Sequence, residues 1–337
     1  MEGRMDNLTH TAIGLFLSRA GLNRLTPRAT PILLLAANAP DLDVVSASAG
    51  SIGYLHYHRH LTHSLALLPL LAIVAVAAVR FIGRKPVNWV GATIAASVGL
   101  VSHLVLDWTN IYGIRMLLPF SAEWLRLDIT NVVDLWIWAI CLLGIAGPFL
   151  SRLVGSEIAS GGVKARHHGR GFAIFALLFV LTYNSSRGVL HARALAGLSS
   201  RMYEGALPDR AFASPDILNP FRWRGVVETP DAFVVQDLNL IAPDPLAARP
   251  VTFHKPDADP AIDTARRHPV IREFLAFNQI PLWRVTPWPE IENGRLVEIF
   301  DMRFGSPAAP GFMARAILNG RGEVVETAVQ FGTPRAR

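Results

Sequence analysis

The chain has 337 residues, enough for two domains. Hydrophobic residues make up 51% and charged residues 17%, below the quarter usual in soluble domains, and mean hydropathy is +0.32; this excludes an ordinary soluble enzyme and points to a membrane protein. The net charge of +6 comes without a long basic run or a nucleic-acid motif, so it reads as charge flanking a membrane, and the single Cys141 allows no internal disulfide.

In chain order, residues 1–28 read as a short N-terminal helix, capped by Asn7 or Thr9 and punctuated by Pro27 and Pro31. After Arg4, the apolar stretch 12–17 is too short for a cleavable signal peptide. Residues 32–37 are apolar but too short to span a bilayer, and Pro40 ends them. Four stretches approach the ~20 residues that a span needs: 64–83 with Pro69 in its early turns, 89–108, 132–150 and 172–190. Arg80, Arg84 and Lys85 follow the first span; Arg152, Lys164, Arg166 and Arg170 follow the third. The positive-inside rule places both loops in the cytoplasm. Arg19, Arg24 and Arg28 weigh against an N-terminus outside.

From about His191 the prolines multiply and apolar runs become short and alternating. Residues 223–229, 232–238, 282–286 and 295–304 read as strands, 312–331 as a hairpin turning at Asn319-Gly-Arg-Gly322, and 269–278 as a helix. The expected fold is therefore a mainly α polytopic membrane protein, about four transmembrane helices plus short N-terminal helices, with a C-terminal β-rich soluble domain. Residues 1–190 form the membrane-embedded helical domain and 191–337 the β-rich domain, on the extracytoplasmic side.

Chemistry concentrates in a few places. Residues 54–64 hold His56, His58, His60 and His63 just before an apolar run. Asp41 and Asp43 flank Leu42 and point the same way if the segment is extended; a bare polar turn after Pro40 is the bland alternative. His103 and Asp107 are four apart, on one helix face, where an Asp that merely orients a His is the modest reading and direct ligation the sharper one. Loop charge and ligand position put these groups on one face of the membrane. His10, Asp41, Asp43, His58, His63, His103 and Asp107 make seven candidate metal ligands, too many for one catalytic zinc, so two ions bridged by a carboxylate are expected. His56 and His60 are the outsiders. Arg59 either clamps an anionic substrate or snorkels to headgroups. Arg115 and Asp134 read as interface anchors, and His167, His168, His254 and His268 carry no role.

Four motifs occur in order: Asp6-Asn-Leu-Thr-His10 with Gly14; Asn38-Ala-Pro-Asp-Leu-Asp43; His58-Arg-His-Leu-Thr-His63-Ser; and Ser102-His-Leu-Val-Leu-Asp107 with Thr109 and Gly113. Together they resemble the YdjM-like, membrane-bound metal-dependent hydrolases over roughly residues 5–190, and the segment Asn219-Pro-Phe-Arg-Trp223 with the β-rich tail looks like the family's C-terminal region. The resemblance implies a multi-pass protein of the cell inner membrane, with divalent metal, zinc above all, held by these His and Asp residues. The family's distant similarity to zinc-dependent phospholipase C enzymes implies a phosphoester or phospholipid substrate, with membrane lipids as partners; the residues themselves offer a metal-activated water, with Asp41 or Asp107 as its base and Arg59 as anion clamp. The class left open beside it is a non-enzymatic membrane protein whose metal is structural or transported. No His-Glu-x-x-His motif supports a protease. Substrate and oligomeric state are not legible.

Overall fold

The computed structural model describes residues 6–84, 86–158 and 168–332. Arg4, Lys85, Lys164, Arg166 and His167 of the charge pattern above lie outside the described residues. The chain divides into two compact units, one of residues 6–43 and 59–189, the other of residues 44–58 and 190–332.

The first unit is helical. Helix α1 (Asn7–Ala20) is capped by the Asp6 side chain, which accepts from Thr9 N, and it stops at Gly21 (φ 149°), whose N–H returns to Leu17 O and Ser18 O. Helix α2 (Ala29–Asn38) is stopped by Pro40, and a 3-10 helix (Pro40–Ala49) follows directly. That helix leads into α3 (Gly50–Tyr57) of the second unit. Helix α4 (Leu68–Gly83) is shorter than the sequence suggests. Residues 64–67 form turns, with Leu67 N bonded to Ser64 O, and Pro69 opens the helix because its missing N–H costs nothing in a first turn. Its 16 residues rise about 24 Å, short of the ~30 Å of a bilayer core. Helix α5 (Trp89–Thr109) is capped by Asn88, which accepts from Gly91 N. Helix α6 (Leu135–Ile158) starts at Asp134, whose Oδ1 accepts from Trp136 N and Ile137 N; Asp134 is thus a helix cap. Helix α7 (His168–Ser199) completes the set and from residue 190 onward belongs to the second unit, where Ala194 and Leu198 join the core. Among the described residues three helices are long and apolar enough to cross a membrane: α5, the Leu135–Leu153 part of α6 and the Gly169–Ser199 part of α7. Helix α2 with Pro40–Tyr57 is a fourth if the two count as one broken span.

Helix α2 is the hub. Ile32, Leu33 and Ala36 are fully buried against Ala72, Ala75 and Val76 of α4 and Ala92, Ala95, Ala96 and Leu100 of α5. Small residues let the backbones approach: a Cβ on Gly99 would sit 3.1 Å from both Ala36 Cβ and Leu33 O. A second cluster joins Ala12, Ile13 and Phe16 of α1 to Ile137 and Ile140 of α6 and Ala173 and Ala176 of α7.

The second unit is β-rich. Strands β1 (Arg210–Pro215), β2 (Arg222–Glu228), β3 (Ala232–Asn239) and β4 (Val251–His254) form an antiparallel sheet in sequence order. Helices α8 (Pro260–Arg267) and α9 (Pro269–Phe277) follow. Then come β5 (Pro281–Trp288), β6 (Gly294–Asp301), the short pair β7 (Gly305–Ser306) and β8 (Ala309–Pro310), β9 (Phe312–Leu318) and β10 (Val324–Phe331). The second sheet has the order β10-β9-β6-β5. Alternation along β2 and β3 buries Trp223, Val227, Val234 and Leu238 in one core. Helix α3 joins this unit through an ion pair, His56 Nδ1 to Glu273 Oε1 at 2.9 Å, and an edge contact of Tyr54 with Phe331.

Candidate metal centre

Among the described residues one group of donors converges, and it lies within the helical unit: Asp41, His63, His103 and Asp107, all buried. Each comes from a different local device. Asp41 follows Pro40 in the first turn of the 3-10 helix. His63 ends a one-turn 3-10 helix, Leu61–His63. His103 and Asp107 share one face of α5.

The separations have a consistent pattern. His63 Nε2 lies 3.1 Å from His103 Nε2, 3.3 Å from Asp107 Oδ2 and 3.5 Å from Asp41 Oδ1. His103 Nε2 lies 3.4 Å from Asp107 Oδ2 and 3.6 Å from Asp41 Oδ1. Ligands at ~2.0–2.1 Å from a tetrahedral zinc stand about 3.3–3.4 Å apart. The five distances bracket that edge length. Both oxygens of Asp41 and Oδ2 of Asp107 are buried without a hydrogen-bond partner, which is costly unless a cation occupies the space between them. Residues and geometry therefore fit a divalent ion.

Surrounding groups aim the donors. The His103 ring bonds through Nδ1 to Ala37 O at 2.8 Å; Nδ1 is then the donor and Nε2 the lone pair. His63 Nδ1 lies 3.3 Å from Asp43 Oδ2, which also accepts from Thr62 Oγ1 at 2.8 Å and Arg59 N at 2.9 Å. The His63 ring is pulled two ways: burial lowers its pKa, while Asp107, Asp41 and Asp43 push it up to about 10. Arg59 is buried and donates to Asp107 Oδ1 at 2.9 Å, Asn110 Oδ1 at 3.2 Å and Gly113 O at 3.0 Å. Asn110 Nδ2 in turn donates to Asp107 Oδ1 at 3.3 Å. His10 stacks on His103, ring centroids 3.9 Å apart, with Nε2 3.6 Å from Asp107 Oδ1.

Of the seven ligands expected from sequence, four form the converging group. Asp43 stands behind His63, and His10 beside His103 and Asp107. The extended reading of residues 41–43 is corrected: in a 3-10 helix two residues apart means about 240° of rotation, so the two carboxylates diverge. His58 is buried, belongs to the other unit and stacks on Tyr54 at 4.5 Å. His60 precedes the Leu61–His63 turn and is outside the four. Arg115 lies over the Trp124 ring at 4.9 Å. Thr62, Asn110 and the Ala37 carbonyl were not singled out from sequence. Asn110, one turn beyond Asp107, carried a spacing signal; a backbone carbonyl carries none.

Comparison with known proteins places these motifs. A relative from Bacillus subtilis (strain 168), described as the uncharacterized protein YfhP, is 25% identical over 325 residues, covering 92% of this chain and 90% of the relative. No solved structure matches. The family described as YdjM inner membrane protein matches residues 5–194, a stretch that holds all four converging donors together with the three candidate spans except the last turn of α7. The chain is a membrane protein and belongs to the YdjM inner membrane protein family.

Proposed function

We propose that this protein is a membrane-bound, metal-dependent hydrolase of phosphoesters, with one zinc held by Asp41 Oδ1, His63 Nε2, His103 Nε2 and Asp107 Oδ2. The carrying observation is the set of five donor separations between 3.1 and 3.6 Å around unpartnered carboxylate oxygens. An all-nitrogen and oxygen donor set resembles catalytic zinc sites more than the cysteine-rich structural ones. A divalent ion there supplies Lewis-acid polarisation of a phosphoryl oxygen and activation of water. Asp41 Oδ2, with no hydrogen-bond partner, is placed to accept the proton. Asp107 is less available, since Arg59 and Asn110 hold its Oδ1. Leu42, Leu61 and Leu65, next in sequence to the donor-bearing segments, are 62%, 44% and 50% exposed, an apolar rim that suits a lipid substrate arriving from the bilayer. The site faces the outside of the inner membrane in this reading, because Arg80, Arg84, Arg152 and Arg170 lie at the far ends of their helices.

The second reading is a structural ion in a non-enzymatic protein. Four buried donors complete a tetrahedron without an open position, which favours it. Metal content and phosphodiesterase turnover, measured together on detergent-purified wild type, His63→Ala and Asp107→Asn, separate the two. The hydrolase reading requires about one ion per chain and turnover that disappears in both variants. A tightly held ion with no turnover on soluble or lipid phosphodiesters overturns it in favour of the structural ion.

A further inference from the structure

We propose that a basic cavity at the end of the helical unit remote from the metal centre binds the phosphate headgroup of an anionic phospholipid. The cavity measures 540 Å³. Four arginines line it: Arg19 in the last turn of α1, Arg24 just after it, Arg152 late in α6 and Arg170 at the start of α7. Its place follows from helix length. Leu25 meets Gly91 at the start of α5, where a Cβ would overlap the Leu25 carbonyl. Asp107 lies 16 residues further along α5, about 24 Å away at 1.5 Å per residue.

Isolated arginines near a membrane reach the headgroups one by one and need no site. These four share a single concavity. Among the described residues no acidic group lines it or pairs with any of them. Four like charges at close quarters repel one another unless an anion sits among them. Arg19 Nη1 is buried without an acceptor, and an N–H in that position calls for one. Arg170 Nε donates to Ala20 O at 3.0 Å, which orients its guanidinium.

The ligand chemistry is thus a phosphate oxyanion, taken by guanidinium groups that bind it bidentately. A lipid and a free phosphate share that chemistry. The walls favour the lipid. Ile145 and Phe149, on the same side of α6, are 44% and 62% exposed on a helix apolar enough to cross the bilayer, so acyl chains find an apolar track directly beside the charges. Basic pockets between membrane helices are established receptors for acidic lipid headgroups.

The test is lipid retention by the full chain in detergent, read by native mass spectrometry, with phosphatidylglycerol and phosphatidylcholine offered together. Wild type is expected to retain phosphatidylglycerol roughly tenfold or more over phosphatidylcholine. Arg19→Gln/Arg152→Gln is expected to lose that preference with metal content unchanged. Arg24→Gln, at an exposed position, weakens it without risk to folding. Equal retention of both lipids by wild type, or an unchanged preference in both variants, overturns the site. Displacement of the lipid by millimolar inorganic phosphate overturns the lipid assignment in favour of a free phosphate.

Discussion

His63 Nε2 and His103 Nε2 face one another at 3.1 Å while the far nitrogen of each ring is committed, to Asp43 and to Ala37 O respectively. With both Nδ1 atoms as donors, the two facing lone pairs suit a cation or a proton shared between them. In the metal-free chain Asp107, Asp41 and Asp43 push the His63 pKa up to about 10 against the opposing effect of burial, which favours a proton there. An ion entering the site must displace it. Apparent affinity should therefore rise about tenfold per pH unit through the neutral range. Calorimetry in buffers of different ionisation heat should show one proton released per ion; none released would remove His63 from the donor set. The metal-free protein carries the matching stability signature. A His raised in the folded state stabilises fully below its unfolded value of about 6.5, and that contribution is lost as pH climbs towards the folded value. Melting temperature of the metal-free chain should fall between those limits.

In the proposed site Asp43 would touch an ion only through His63. Asp43→Asn keeps the shape but weakens the pull on Nδ1–H, and partners of this kind are worth about 10–100-fold in affinity. Stoichiometry at saturating metal should stay at wild-type level while the dissociation constant rises. An unchanged constant would assign Asp43 to the Arg59–Thr62 turn alone.

Gly99 is a second remote control. A valine there collides with Ala36 and Leu33 O, pushing α5 off α2 and stretching the His103–Ala37 hydrogen bond. Metal affinity should drop with helical circular dichroism intact, although no donor has changed. Gly171→Ala, whose Cβ meets nothing within 4 Å, is the matched control and should bind as wild type.

Arg59 and Asp107 form a buried pair with 3% and 4% of their side-chain surface exposed. Arg59→Met strands a carboxylate and should cost the metal-free protein about 3–5 kcal/mol. Arg59→Met/Asp107→Leu should cost clearly less than the sum of the two single changes. Additivity in a denaturation series would show that the pair does not act as a unit.

Donors set by local spacing were legible. His103 and Asp107 fall on one face of any helix, and the density of histidines before α4 marked His63. What folded differently was backbone detail. Residues 41–43 and 61–63 adopt 3-10 turns, in which a two-residue spacing no longer means the same face, and sequence carries no clear mark of 3-10 against extended chain after a proline. The start of α4 was misplaced because residues 64–67 are as apolar as the helix itself, and only Pro69 betrays the first turn. In the β-rich half, alternation marked β2, β3, β5, β6, β9 and β10, while β1, β4 and α8 went unread: β1 closes on Pro215, β4 has four residues, and α8 is a two-turn helix.

The tautomer of His103 is held by a peptide carbonyl near the end of α2, where the last carbonyls of a helix lack partners within it. No side-chain replacement at position 37 deletes that acceptor. A mutational scan should thus find position 37 tolerant of anything that fits, while the small residues that set the spacing of the two helices are intolerant. The geometry of this donor cluster is in this sense written into the distance between two backbones, and a change that never alters a polar atom can undo it.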